Sequence, residues 1–341
     1  MNSTEDELKG PRARVGRIRL LLPPLVGSLV LLVALLGLVG TAIRDPHPHD
    51  IPVGLVGPPP AAQQITSAFA TNAPGAFAFT AYESEGDARA ALDSRAVDGA
   101  LVLGLPNPRL IIAGAAGDAT TGVITAAFTN VFKAQGATLD LEVVHPFTAG
   151  DAHGLILFFV VVAVSVAALV SQALLFRSGG DAGFGARLIV VLAFGVLGGL
   201  TAMGTAYWMA GDYGAGFWTA VGLVVLAALA VGAVVAGLAR LLGAAGIALA
   251  ALVVVLLSLV SSGGPVGSQL LPDLYRWLAP WLPAGPLYSA LRGALYFDGA
   301  GLDGPILVLS GWLVAGLVLM GLGELVSRLR GGRVQAQAPA H

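Results

Sequence analysis

Two histidines and an aspartate near the start of a long polar stretch are of types that can bind a metal ion. His47, His49 and Asp50 follow the order HxHD, and imidazole and carboxylate groups are common ligands of zinc and of other transition metals. Pro46 and Pro48 interleave them, however, and this spacing suits an extended linker better than a closed coordination shell. We therefore predict no metal site and no cofactor.

The apolar segments carry hydroxyl groups without a residue that could activate them. An intramembrane hydrolase needs a serine with a base, or paired carboxylates, and proton-coupled transport also places ionisable groups at membrane depth. Glu324, beside Arg328 at the end of the last apolar segment, is predicted to be interfacial. The cores contain no Asp, His or Lys, although the spans offer polar side chains that include Ser165, Ser171, Gln172, Thr201, Thr205, Ser258, Ser261 and Ser262.

A nucleotide-binding loop is also missing from the sequence pattern. The GxxxxGK[ST] loop needs a lysine followed by a hydroxyl, and neither Lys9 nor Lys133 stands in one. The stretch Gly114–Gly122 has glycines and threonines but no lysine. We therefore predict that the chain is not an enzyme and has no catalytic residue.

The overall composition predicts a membrane protein. Of 341 residues, 56% are hydrophobic and 11% are charged, with a mean hydropathy of +0.82, which nearly excludes a water-soluble monomer. The absence of cysteine excludes disulfides and thiolate sites. A net charge of -2 provides no basic footprint for nucleic acid.

Six apolar runs are long enough to cross the roughly 30 Å hydrocarbon core of a bilayer. A secretory signal peptide is the competing interpretation of the first run, because basic residues precede it, but its length favours a retained anchor. The predicted spans are Leu20–Ile43 and, approximately, Gly154–Phe176, Leu188–Ala210, Gly214–Ala239, Leu241–Ser261 and Pro305–Gly323.

The basic residues set the predicted orientation, since Lys and Arg favour cytoplasmic flanks. Placing both termini in the cytoplasm puts on the inner side Lys9, Arg12, Arg14, Arg17, Arg19, Arg177, Arg187, Arg240, Arg328, Arg330 and Arg333. The resulting plan is a cytoplasmic basic segment 1–19, a first transmembrane helix 20–43, an extracytoplasmic domain 44–151, helices two to five over 152–262, a broken segment 263–304, a sixth helix 305–327 and a cytoplasmic tail 328–341.

Residues 44–151 are too polar to span a membrane and too many for a passive loop. Alternating strand and helix patterns predict a small α/β sheet. The predicted strands are Ile51–Gly57, Phe77–Tyr82, Ala100–Leu105, Arg109–Ala113 and Leu139–Val144, and the predicted helices are Ala61–Ala70, Glu85–Val97 and Thr120–Gln135. In the second helix, Arg95 is expected to face water. Eleven acids against five bases in this domain indicate an ordinary solvated surface.

Prolines and aromatic residues punctuate the segment 263–304, which is too broken to span. Amphipathic rings settle at membrane interfaces, so we expect a re-entrant or surface-lying helical hairpin, including Tyr275 and Tyr296 among its interfacial rings. The hairpin is either a structural plug or an outer gate for an amphipathic substrate, and these alternatives stay open. Its candidate gate or substrate-path residues are Trp277, Trp281, Tyr288 and Arg292.

The order of these parts resembles the ABC-2-type permease superfamily, and within it the YhgE/Pip-like branch. The most specific matches are EGDARAALDSRAVDGALVLGLP at Glu85–Pro106 and LPDLYRWLAPWLPAGPLYSALRGALYF at Leu271–Phe297. The resemblance implies export of lipids, drugs or envelope precursors by a homodimer, with a separate ATPase on the cytosolic side. In place of the charged, Gly-Thr-containing coupling segment of many such permeases, this chain has only the turn between Arg177 and Arg187, our candidate coupling residues.

Two functions follow as hypotheses for a multi-pass protein of the cell membrane. The first is a permease that exports an amphipathic molecule with conformational work from a separate ATPase. The second is a non-transporting envelope scaffold or receptor whose domain 44–151 binds a protein partner. Recovery of an ATPase subunit with the chain distinguishes the first from the second.

Overall fold

The computed structural model of the chain describes residues 11–44, 46–104, 107–178 and 183–336. It divides into two compact units, one ending at Asp45 and one beginning at Pro46. Within the described residues, six helical segments are long and apolar enough to cross a membrane: Leu25–Ala42, Leu155–Ser178, Phe184–Ala210, Gly214–Leu242, Ala244–Val266 and Asp303–Leu329. The six predicted spans are thereby confirmed as apolar helical segments, and the fold is that of a polytopic helical membrane protein.

The first unit contains the helix α1, Pro11–Ile43. A proline suits the first turn of a helix because its missing N–H has no intrahelical partner there. The helix therefore includes part of the basic segment that we had separated from the span at Leu20. Lys9 and the other residues of 1–10 lie outside the described residues.

The second unit begins with a five-stranded sheet of order β2-β1-β3-β4-β5. All neighbouring strands are parallel except β3 and β4, which are antiparallel. The central strands β1 and β3 are apolar and almost fully buried, as expected for strands that are covered on both faces. The strands are β1 Ile51–Val56, β2 Phe77–Tyr82, β3 Gly99–Val102, β4 Arg109–Ala113 and β5 Asp140–Val144.

Three helices cover the sheet: α2 Pro59–Asn72, α3 Glu85–Asp93 and α4 Asp118–Ala134. Phe69 of α2 and Phe128 of α4 belong to one apolar cluster, and Leu92 of α3 belongs to another. The helix α3 ends at Asp93 rather than at the predicted Val97, because Arg95 has a left-handed backbone with a φ of 62°. The strand β3 ends at Val102, and Leu105, the last residue of the predicted strand, lies outside the described part.

The candidate spans of the second unit pack around one central helix. They are α5 Leu155–Ser178, α6 Phe184–Ala210, α7 Phe217–Leu242, the broken span formed by α8 Ala244–Ala250, a π-helical stretch Ala251–Leu257 and α9 Ser258–Ser261, and finally α12 Asp303–Ala336. Helix α7 packs against α5, α6 and α12. In the 18-residue apolar stretch of this span, 72% of the residues are buried. Helix α7 forms the core of this bundle.

Glycines let the helices around α7 approach closely. A methyl group on Gly195 or Gly199 of α6 would lie 2.4 or 2.5 Å from side-chain carbons of Leu229 or Val225 in α7. On the other side of α7, Gly237 leaves no room for a methyl group against α12. At these positions the glycines serve tight packing within the bundle.

The broken segment 263–304 contains two short helices, α10 Asp273–Leu278 and α11 Ala284–Tyr296. Helix α11 packs against α5, α7 and α12. On its other side the segment contributes to the α/β domain, because Leu270 joins the apolar cluster of α2 and α4, and Phe297 joins that of α3. The segment therefore connects the bundle to the sheet.

Candidate functional site

A polar region inside the second unit is the junction, where the segment 263–304 meets the α/β domain. Here the backbone N–H of His49 donates to the carbonyl of Gln269 over 3.0 Å. Gly267 lies so close to α4 that a methyl group on it would be 2.5 Å from Thr120 Oγ1. The residues that precede α11 are thus in close contact with the linker at His49 and with helix α4 at Thr120. These contacts hold α11 near the sheet.

Helix α11 positions two of the candidate gate residues one helical turn apart. The ring of Tyr288 is buried, with its edge toward Phe158 of α5 and its hydroxyl 3.4 Å from the carbonyl oxygen of Gly154. The guanidinium of Arg292 lies 4.9 Å from the centre of the Tyr288 ring and donates to the carbonyl of Ala116. Residues four apart share a helix face, so Tyr288 fixes where Arg292 points.

Arg95 reaches the same place from the α/β domain. Its left-handed backbone, directly after α3, turns the side chain toward α11 rather than toward water. There it donates to the hydroxyl and to the carbonyl of Ser289, each over 3.0 Å, and to the carbonyl of Ala300 over 3.3 Å. Burial and the nearby charge of Arg292 lower the pKa of Arg95 to about 10, so it is still positively charged at neutral pH.

Asp98 completes the charged group, immediately before the buried strand β3. Its carboxylate accepts a hydrogen bond of 3.1 Å from Gln269 Nε2. Burial raises the pKa of Asp98 to about 6, against the opposing effect of Arg292 and Arg95. Among the described residues, none of these three charged side chains has an ion-pair partner within 4.0 Å.

Two neighbouring cavities meet at Arg292. The polar cavity, of about 220 Å³, is lined by Pro52, Arg95, Val97, Asp98, Ala116, Ser268, Gln269, Ser289, Arg292 and Phe297. The mixed cavity, of about 430 Å³, shares Ser268, Ser289 and Arg292 with it and adds an apolar side from Trp281, Pro305 and Val308. Together they provide a space that is charged at one end and largely apolar at the other.

The four candidate gate residues therefore separate into two groups. Trp281, Tyr288 and Arg292 all line the mixed cavity. Trp277 lies on α10 with 67% of its surface exposed and does not line that cavity. Tyr275, which we expected at the membrane interface, is instead buried, as is Tyr288.

Sequence reasoning missed Arg95, Asp98, Gln269 and Ser289. The expectation that Arg95 faces water was wrong because it extended the periodicity of α3 past the helix end. The only local signal was Asp98, an acidic residue placed directly before a fully apolar strand. A carboxylate at such a position needs a partner at the end of the sheet.

The candidate coupling residues lie at the opposite end of the bundle, which we call the far end and define by Arg187, Arg240, Glu324 and Arg328. Arg187 is buried and lines a cavity of about 370 Å³ together with Arg240. Glu324 lies 3.5 Å from Arg240 and 3.1 Å from Arg328, so it pairs with both arginines. Arg177 is exposed at the end of α5, and residues 179–182 of the turn lie outside the described part.

The HxHD residues take part in the junction. Nδ1 of His49 lies 3.3 Å from the carbonyl oxygen of Gln269, and a carboxylate oxygen of Asp50 lies 3.7 Å from a guanidinium nitrogen of Arg276. Both side chains thus face the segment 263–304. Their geometry is that of a contact between the linker and the segment.

No protein-family model, curated protein or solved structure matches the chain. The resemblance to ABC-2-type permeases therefore stays a hypothesis that depends on the residues quoted for it. What the chain does has to be argued from the junction and the far end.

Proposed function

We propose that the chain is an ABC-2-type permease-like protein of the cell membrane that exports an amphipathic molecule and works with a separate ATPase. In this proposal the chain is a homodimer with both termini in the cytoplasm, and the α/β domain lies outside. The observation that supports it best is the pair of cavities at the junction. One end of this space is polar and the other is apolar, as an amphipathic molecule requires.

The position of α11 favours the gate over the plug. This helix contacts the bundle through α5, α7 and α12, and it contacts the α/β domain through the hydrogen bonds between Ser289 and Arg95. A shift of the bundle helices would consequently move Arg292 and Tyr288 and change the size of both cavities. A plug that only closed the bundle would not need charged side chains facing an internal space.

The far end is the proposed contact for the ATPase. Arg177 is exposed there and offers a basic group to an acidic surface, whereas Arg187 is buried and would hold the start of α6 in place. Because the turn between them is short, the area available to an ATPase is small. The basic N-terminal segment would have to supply the remainder.

Copurification tests this proposal. The full chain, expressed at native level with a C-terminal tag, should recover an ATPase subunit and stimulate its hydrolysis of ATP. Arg177→Glu should abolish both at unchanged membrane abundance, because it places a negative charge at the contact. The matched control is Arg109→Glu, in the α/β domain, which should recover the ATPase normally. Failure of the unmodified chain to recover or stimulate any ATPase would contradict the proposal.

One observation favours the alternative, a scaffold or receptor. The strand β5 is an edge strand of the sheet, and its Leu141 and Val143 are each 49% exposed. An unpaired strand edge with apolar side chains can add a strand from a partner. In that case Leu141→Lys should abolish capture of the partner by the α/β domain while export is unchanged. Under the permease proposal, loss of export follows from changes at the junction instead.

A further inference from the structure

The polar cavity holds more positive than negative charge. Arg95 and Arg292 face it with one carboxylate, Asp98, and none of the three is ion-paired to a described residue within 4.0 Å. Buried charges in proteins are normally paired. The cavity therefore has the electrostatic character of an anion site.

The hydrogen-bonding groups of Arg292 support the same conclusion. Its Nη1 donates to the carbonyl of Ala116, but its Nε is buried without an acceptor among the described residues. The hydroxyl groups of Ser268 and Ser289 line the cavity beside it. A guanidinium with a free N–H and two neighbouring hydroxyls match the oxygen atoms of a phosphate or a similar oxyanion.

The apolar part of a ligand would lie in the mixed cavity. Trp281, Pro305 and Val308 form its apolar side, and it shares Arg292 with the polar cavity. The other arginine there, Arg276, is already neutralised by Asp273 at 2.8 Å. Among the described residues that line the two cavities, the positive charges without an ion pair are thus Arg292 and Arg95.

We propose that the two cavities bind one anionic amphiphile, with its phosphate-type head group between Arg292 and Arg95 and its apolar part along Trp281 and Val308. Naming this molecule as the cargo rests on the proposed export function. Binding itself requires only the chain.

Binding is measured on the purified full chain in dodecyl maltoside at pH 8, by the tryptophan fluorescence change on titration. The probes are dihexanoylphosphatidylglycerol, which is anionic, and dihexanoylphosphatidylcholine, which is zwitterionic. Inorganic phosphate and glycerol phosphate test the head group alone. We expect the anionic lipid to bind at least about tenfold more tightly than the zwitterionic lipid and than either free phosphate.

Three variants assign the binding to the cavity. Arg292→Gln should weaken binding of the anionic lipid about tenfold, while the control Arg109→Gln, with the same loss of charge on the surface of the α/β domain, should not change it. Asp98→Asn should strengthen binding several-fold, because it removes the negative charge and keeps an acceptor for Gln269. This gain cannot arise from a folding defect. The proposal would be overturned by equal binding of the two lipids, by unchanged binding to Arg292→Gln, or by weaker binding to Asp98→Asn. If free phosphate binds more tightly than the lipid, the ligand is an anion without an apolar part, and the proposed amphiphile is wrong.

Export in cells separates this inference from the proposed function. Selective, Arg292-dependent binding by a chain that neither exports nor recovers an ATPase would overturn the permease and leave the site. Export that proceeds unchanged in Arg292→Gln, with equal binding of the two lipids, would overturn the site and leave the permease.

Discussion

The junction and the far end both bury arginines, but they neutralise them differently. At the far end, Glu324 lies within 4.0 Å of both Arg240 and Arg328. At the junction, Arg95 and Arg292 bond to carbonyls and a hydroxyl, and Asp98 bonds to an amide. Among the described residues, the two arginines that line the polar cavity therefore have no ion pair, whereas Arg240 and Arg328 at the far end have one.

This difference indicates different roles. When a buried charge is paired within the chain, removing its partner strongly destabilises the folded protein. A buried charge that has only neutral partners is not compensated within the chain, and a bound ligand of opposite charge can neutralise it. We accordingly expect substitutions at the far end to destabilise the protein and the removal of a charge at the junction to stabilise it.

The largest expected effect concerns the close helix crossing beside the far end. Gly237→Ala would place a methyl group 2.5 Å from Leu319 Cβ and 2.8 Å from the backbone nitrogen of Met320, so α7 and α12 must separate. We expect a loss of about 3 kcal/mol in the free energy of unfolding. Gly222→Ala, in the same helix, meets no described atom within 4 Å and should not destabilise. Equal denaturation midpoints for the two variants in detergent would show that this crossing is not rigid.

Asp98→Asn tests the junction, and we expect this substitution to increase the free energy of unfolding. The pKa of Asp98 is raised from 3.8 to about 6 in the folded chain by burial, so the folded state favours the protonated carboxyl. Stability should therefore fall as the pH rises from about 4 to about 6 and stay level above that. The variant, which has no such ionisation, should be more stable than the unmodified chain by up to about 3 kcal/mol at pH 8.

The measurement is thermal unfolding of both proteins between pH 4 and pH 8. The groups that face Asp98 are Arg95 of the domain and Arg292 and Gln269 of the segment, and of these only the arginines carry charge. His49 contacts Gln269, so His49→Gln serves as the control and should keep the dependence on Asp98. A stability difference that does not vary with pH would show that Asp98 is not the source.

Arg240→Gln tests the far end, and we expect this substitution to decrease the stability of the protein. The substitution removes the ion pair with Glu324 and the hydrogen bond to Ser327 at a position where little of either charged side chain is exposed. We expect the melting temperature to fall by roughly 4 °C. An increase, as for Asp98→Asn, would remove the distinction between the two ends.

The sequence was sufficient for the six apolar helical segments and for the alternation of strands and helices along residues 44–151. Long apolar runs locate the spans, and the alternation of Phe77–Tyr82 locates a strand, because these features depend on local periodicity. The fifth span is a limit of this reasoning, since the π-helical stretch Ala251–Leu257 has the same apolar composition as an α-helix.

The junction could be predicted only in part, because its residues come from distant parts of the chain. Arg292 stood out as a charge in an aromatic segment. Arg95 did not, because a left-handed residue after α3 directs it 194 positions along the chain to Ser289. Neither residue reveals in sequence that the other lies nearby, so the missing carboxylate partner is evident only in three dimensions.

The smallest expected effect comes from the second arginine at the far end. Arg328 pairs with the same carboxylate as Arg240, but 76% of its side chain is exposed, against 17% for Arg240. Water and salt screen such a pair, so Arg328→Gln should change the melting temperature by only about 1 °C. Both substitutions remove a guanidinium from the same acid, but Arg240→Gln does so at a buried position and also removes the hydrogen bond to Ser327. If Arg328→Gln lowers the melting temperature as much as Arg240→Gln does, the net charge beside Glu324, and not the buried pair, stabilises the far end.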